Sequence, residues 1–193
     1  LKIILGLINA NGGTVSVFGC SHKLPVSRKK LSYLPEKFQP PQVLTGHEFL
    51  RFACNQFNVP YNQQQAENCA KDLDLNPNAL NGKIATYSKG MGQKIGLISQ
   101  LLRSPPLLIL DEPMSGLDPK ARVVFKEVLK SYKKQGTVLF SSHILADIEE
   151  ISDEMAVLHD TKILYQGKPN GFIKHHKADN LEQAFLSATM NEA

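Results

Sequence analysis

Four apolar residues run straight into two acids in Leu107-Leu108-Ile109-Leu110-Asp111-Glu112-Pro113, and no other stretch of the chain narrows the fold as far. A run without polar alternation has no solvent face. It therefore reads as a strand buried on both sides, as in parallel sheets covered by helices. Ending it in Asp111 and Glu112 puts two carboxylates at the carboxyl edge of the sheet, where folds of this kind hold ligands. One carboxylate can hold Mg²⁺, directly or through water, and its neighbour can polarise an attacking water. An acidic surface turn would carry the same pair, so the surroundings must decide.

Those surroundings alternate between strand and helix patterns. Residues 14–18 and 31–34 read as short strands, the second stopped by Pro35. Thr45-Gly46-His47-Glu48 matches a capping box, opening a helix with Phe49, Leu50, Phe52, Ala53 and Phe57 at helical spacing. Residues 63–73 form a second, more polar helix, so residues 45–103 read as a helical insert between strands. Asp118-Pro119 starts a helix that Gly136 closes, with Val124, Phe125, Val128, Leu129 and Tyr132 on its inner side. A strand over 137–141, a helix over 144–151 and a hairpin turning at Asp160-Thr161-Lys162 follow. The tail, 168–193, reads as polar with one helix over 181–186. The fold expected is α/β, with a mostly parallel sheet flanked by helices and a helical subdomain inserted within it.

Composition limits the function classes. A net charge of +4, with only short basic clusters, does not support nucleic-acid binding. Cys20, Cys54 and Cys69 are odd in number and widely spaced, which fits neither a disulfide frame nor a zinc site. Apolar runs stay well short of a membrane span, and no signal-peptide plan is present. Residues 1–8 read as a helix already under way without a cap, which points to a cut N-terminus.

Two further motifs stand beside the acidic strand end. Ser115-Gly116-Leu117-Asp118 follows it, and Ser141-Ser142-His143 ends the next strand. Upstream, Tyr87-Ser88-Lys89-Gly90-Met91 leads into a helix with Met91, Ile95, Ile98 and Leu102 on one face. A hydroxyl and a glycine at that helix start leave backbone donors and the positive dipole end facing outward, as an anion site requires. In order and spacing these motifs resemble the signature, Walker B strand, D-loop and switch histidine of ATP-binding cassette (ABC) nucleotide-binding domains. The likeness extends from Leu1 to about Gly167.

The resemblance implies ATP and Mg²⁺ as ligands and assigns roles. Asp111 would coordinate Mg²⁺, Glu112 would be the general base, and His143 would contact the γ-phosphate and hold Glu112 and the water. Ser88 and Gly90 would bind the phosphate held by the opposite subunit of a head-to-tail dimer, with Lys89 adding positive charge or lying in solvent. Asp118 would act across that interface as well as capping its helix. Glu36 stands where the family has a glutamine that senses Mg²⁺ and couples to the membrane partner, or it is a solvated loop residue. Residues 1–44 would be the rest of the N-terminal ATPase core, 45–103 the helical subdomain, 104–167 the core with Walker B, and 168–193 the tail. Phe38, Pro40, Pro41, Val43 and Leu44 would line the approach to a permease, or pack within a loop.

Lys89 and Met91 depart from the commoner signature and match an exporter-type variant. No Gly-Lys-Ser or Gly-Lys-Thr occurs, so the phosphate-gripping P-loop is expected upstream of Leu1, and with it the adenine-stacking aromatic. The reading is an ATP-hydrolysing subunit at the cytoplasmic face of the membrane. It would pair with a second nucleotide-binding domain and an integral membrane permease, and the transport would be export. A soluble ABC ATPase acting on ribosomes or DNA is the alternative, and a degenerate assembly module is disfavoured by intact Asp111, Glu112 and His143. The 193 residues by themselves are expected to hydrolyse little ATP and, with sheet edges bared, to be poorly soluble.

Overall fold

A computed structural model describes residues 1–190 and divides into two units, Leu1–Ser141 and Ser142–Ala193. The first unit opens with one helical turn, Leu5 N–H bonding the carbonyl of Leu1. Gly6, at φ +68°, then donates to Ile3 and Leu7 to Lys2. That pair of bonds is a Schellman closure, so the helix expected over residues 1–8 stops after a single turn, because glycine takes the left-handed conformation at little cost. The strand expected over 14–18 is also shorter. Strands β1 (Ser16–Val17) and β2 (Cys20–Ser21) pair antiparallel around Phe18 and Gly19, both at positive φ, as tight hairpin turns require.

A one-turn helix, α1 (Pro25–Arg28), leads into β3 (Leu31–Leu34). The helical lobe follows. Its first helix, α2 (Gly46–Asn55), carries the expected capping box: Glu48 N–H donates to Thr45 Oγ1 and Thr45 N–H to Glu48 Oε2. The second, α3 (Gln63–Asp72), is capped by Asn62. Two short 3₁₀ turns, Pro77–Asn81 and Ile84–Thr86, bring the chain to α4 (Lys89–Leu101). From Ile95 to Gln100 every residue of α4 is buried, because the helix packs against α2, α3 and β3 together. Gly96 makes this possible: a Cβ there would lie 2.7 Å from the Phe38 ring. Phe38 also meets the Phe49 ring at 5.9 Å between centroids, so it packs within the unit, while Val43 is 77% exposed.

The apolar run becomes β4 (Leu107–Asp111), and Leu108, Ile109 and Leu110 are fully buried. After it come α5 (Pro119–Tyr132) and β5 (Thr137–Ser141). The sheet order is β3-β4-β5, parallel throughout, with Leu34 beside Leu110 and Asp111 beside Ser141. The buried stripe of α5 is Ala121, Phe125, Leu129 and Tyr132, at spacings of four, four and three. Val124 and Val128 sit on its half-buried shoulder rather than at its centre. Leu5 and Val17 pack with Leu31 and Ile109 against the sheet.

The second unit contains α6 (Leu145–Ile151), the antiparallel pair β6 (Met155–His159) and β7 (Lys162–Gly167), then α7 (Pro169–His175) and α8 (Leu181–Met190). The expected hairpin turns on Asp160 and Thr161, both at positive φ. The tail differs from its polar, one-helix reading. Two helices form, and Phe172, Leu181, Ala184 and Ala188 build a core with Val157. These apolar residues are too sparse in sequence to announce a core until two helices and a hairpin bring them together. Residues 191–193 of the tail lie outside the described residues. The three cysteines are free, and no helix among the described residues is long and apolar enough to cross a membrane.

Candidate functional site

At the carboxyl edge of the sheet, β4 delivers Asp111 between two hydroxyls from the flanking strands. Ser141 Oγ donates to Asp111 Oδ1 at 2.7 Å, and Tyr33 Oη donates to Oδ2 at 3.3 Å. Parallel register explains both contacts. Asp111 lies beside Ser141, while Tyr33 lies beside Ile109 and so on the face that Asp111 shares. Burial, and then the negative charge of Asp111, hold the Tyr33 phenol above its ordinary pKa, which keeps it a donor.

The next residue turns sharply. Glu112 has φ +46°, the left-handed region, which costs a non-glycine residue about 1–2 kcal/mol. Its amide donates to Ser141 Oγ at 3.0 Å, so one hydroxyl spans both acids. One residue further on, the Pro113 carbonyl accepts from Gln93 Nε2 at 3.1 Å, tying the turn to α4.

The start of α4 lies against the loop that leads to α5. Ser88 caps α4 through a bond from Met91 N–H at 3.2 Å, so its hydroxyl already has one structural task. Lys89 is exposed but not simply solvated. A Cβ on Gly116 would fall 2.5 Å from its Nζ, and a Cβ on Gly90 would meet Leu117 at 3.7 Å. Asp118 caps α5, its Oδ1 accepting from Ala121 N–H at 2.9 Å. The cap reading of Asp118 therefore holds in the structure.

Glu36 is exposed two residues beyond β3, at the same edge of the sheet as Glu112. His143 belongs to the second unit. There it precedes α6, where Ser142 Oγ accepts from Ile144 N–H, and it lines a cleft of about 380 Å³ with Ala146, Glu149, Asn180 and Glu182.

The sequence reading missed Tyr33, Ser141 and Gln93 as parts of the site. Each stands beside a motif the sequence displays, Tyr33 before Glu36, Gln93 after the signature and Ser141 before His143, but only the sheet register and the fold of α4 bring them to the acids. Among the described residues no cluster of three His, Cys, Asp or Glu could hold a metal by itself. A hard-oxygen donor such as Asp111, with lone pairs left after two hydrogen bonds, suits Mg²⁺ of the kind bound by one carboxylate together with phosphate oxygens.

A parallel sheet with the Asp111 carboxylate held at its carboxyl edge, and a helical lobe whose last helix ties back to the turn just beyond it, is the layout of an α/β nucleotide-binding subunit. Comparison with known proteins makes this specific. The sequence model of the ABC transporter family matches residues 1–115. An uncharacterized ABC transporter ATP-binding protein of Synechocystis is 38% identical over 86% of this chain and 48% of its own length. The lantibiotic transport ATP-binding protein SrtF of Streptococcus pyogenes is 30% identical over 100% of this chain and 80% of its own. A solved structure of an ATP-binding subunit of an ABC transporter aligns with a TM-score of 0.87 and 28% identity, over 97% of this chain and 80% of that one. The chain belongs to the ABC transporter family, as an ATP-binding domain. It spans about half the length of the first curated relatives it matches (48% and 51%).

Proposed function

We propose that this chain is part of a subunit that binds and hydrolyses ATP to drive export through a separate membrane permease, working as a head-to-tail dimer at the cytoplasmic face of the membrane. The observation that carries the reading is the ordered pair Asp111–Glu112 at the carboxyl edge of the buried strand, with the capped start of α4 tied to it through Gln93. The relatives named for lantibiotic transport and linearmycin resistance support export as the direction.

In this reading Asp111 holds Mg²⁺ that arrives with the nucleotide, and the metal supplies charge to offset that developing on the phosphate oxygens. Glu112 accepts a proton from the attacking water, and His143 contacts the γ-phosphate and keeps that water in place. Ser88, Lys89 and Gly90 face the phosphate bound by the second subunit, their helix start supplying N–H donors and a positive dipole end. Asp118 acts at the same interface, and Glu36 lies toward the permease and the metal. The subdomain boundaries at 45, 104 and 168 belong to the same proposal. No nucleic acid is involved.

Because Gly-Lys-Ser/Thr is absent from these 193 residues, they are expected to show little or no turnover by themselves. The test is therefore ATP hydrolysis by the full-length gene product, with and without its permease. Glu112→Gln should remove turnover while nucleotide binding persists. Unchanged turnover in that variant would sink the assignment.

A further inference from the structure

We propose that Ser141 is a positioning residue that sets Asp111 and Glu112 together, with Tyr33 fixing the second oxygen of Asp111. The inference rests on the hydrolytic reading of those two acids but concerns residues outside it. A hydroxyl has one proton and two lone pairs. Ser141 spends its proton on Asp111 Oδ1 at 2.7 Å and a lone pair on the Glu112 amide at 3.0 Å. One atom therefore fixes the rotation of one carboxylate and stabilises the left-handed turn that aims the other. Tyr33 reaches Oδ2 from β3, on the opposite side of β4 from Ser141.

With both oxygens held, the carboxylate plane of Asp111 is set before any ligand arrives, and each oxygen, accepting one bond, keeps a further lone pair. Such preorganisation is what second partners of metal-binding carboxylates supply. The backbone pairing of β5 with β4 does not need the Ser141 side chain, so its removal should leave the strand in place. Threonine keeps the hydroxyl and suits a strand.

The experiment uses the full-length gene product and its Ser141→Ala, Ser141→Thr, Tyr33→Phe and Glu112→Gln variants. Two quantities are measured: steady-state ATP hydrolysis, and hydrogen exchange of the Glu112 amide without nucleotide or metal. Ser141→Ala should lower kcat by about 10–100-fold and accelerate Glu112 exchange, and Ser141→Thr should restore both. Tyr33→Phe should lower kcat while leaving Glu112 exchange unchanged. If Ser141→Ala keeps full turnover while Glu112→Gln has none, or if Glu112 exchange is unaltered, the proposal is overturned. If the parent itself shows no turnover sensitive to Glu112→Gln, the hydrolytic reading fails instead. The amide exchange then still decides whether Ser141 holds the turn.

Discussion

Gln93 Nε2 donates to the Pro113 carbonyl at 3.1 Å, from a residue only 7% exposed. The donor lies one turn into α4, and the acceptor immediately follows Glu112. One buried bond thus joins the helix that starts at the signature motif to the turn that carries the proposed base. Gln93→Leu keeps most of the volume and leaves the carbonyl without that partner, at a cost of about 1–3 kcal/mol. Urea unfolding measures the loss, and stability equal to the parent would mean that the bond contributes nothing.

Gly116 combines φ +76° with the Lys89 side chain lying over it. Gly116→Ala should cost about 1–2 kcal/mol from the backbone conformation alone. The steric share is small, because the atom in the way is the far end of a flexible lysine. Thermal unfolding of Gly116→Ala and of Gly116→Ala/Lys89→Ala separates the two causes. Full recovery in the double variant would assign the cost to the lysine rather than to the backbone.

Burial pushes the phenols of Tyr61 and Tyr132 up to about 12, against 10.0 for an ordinary tyrosine. Tyr132 donates to the Pro105 carbonyl, a bond its phenolate cannot make. Between those values the unfolded chain gives up protons that the folded chain keeps. The contribution of these phenols is therefore complete below pH 10 and is lost as pH rises toward 12. Tyr132→Phe should flatten the fall in stability across that window, as followed by urea unfolding at a series of alkaline pH values. A fall as steep as that of the parent would assign it to other groups.

Much of this architecture could be read directly. The apolar run of β4, the Thr45 capping box and the Asp118-Pro119 helix start each depend on neighbours within a few residues, so local chemistry determined them. Glycine misled at the start of the chain, where Gly6 closes a turn that helical spacing would have continued. The second unit hid its core because Val157, Phe172 and Leu181 share no local period.

The amino-acid order by itself placed Asp111 and Glu112 at a strand end, Ser88 at a helix start, and all of them within a recognisable family pattern. Which groups hold the acids was decided only by tertiary structure. Tyr33 is 78 positions from Asp111 in the chain, and Ser141 is 30. Parallel pairing of β3, β4 and β5 makes them neighbours, and that register is a property of the assembled sheet, which no single strand contains.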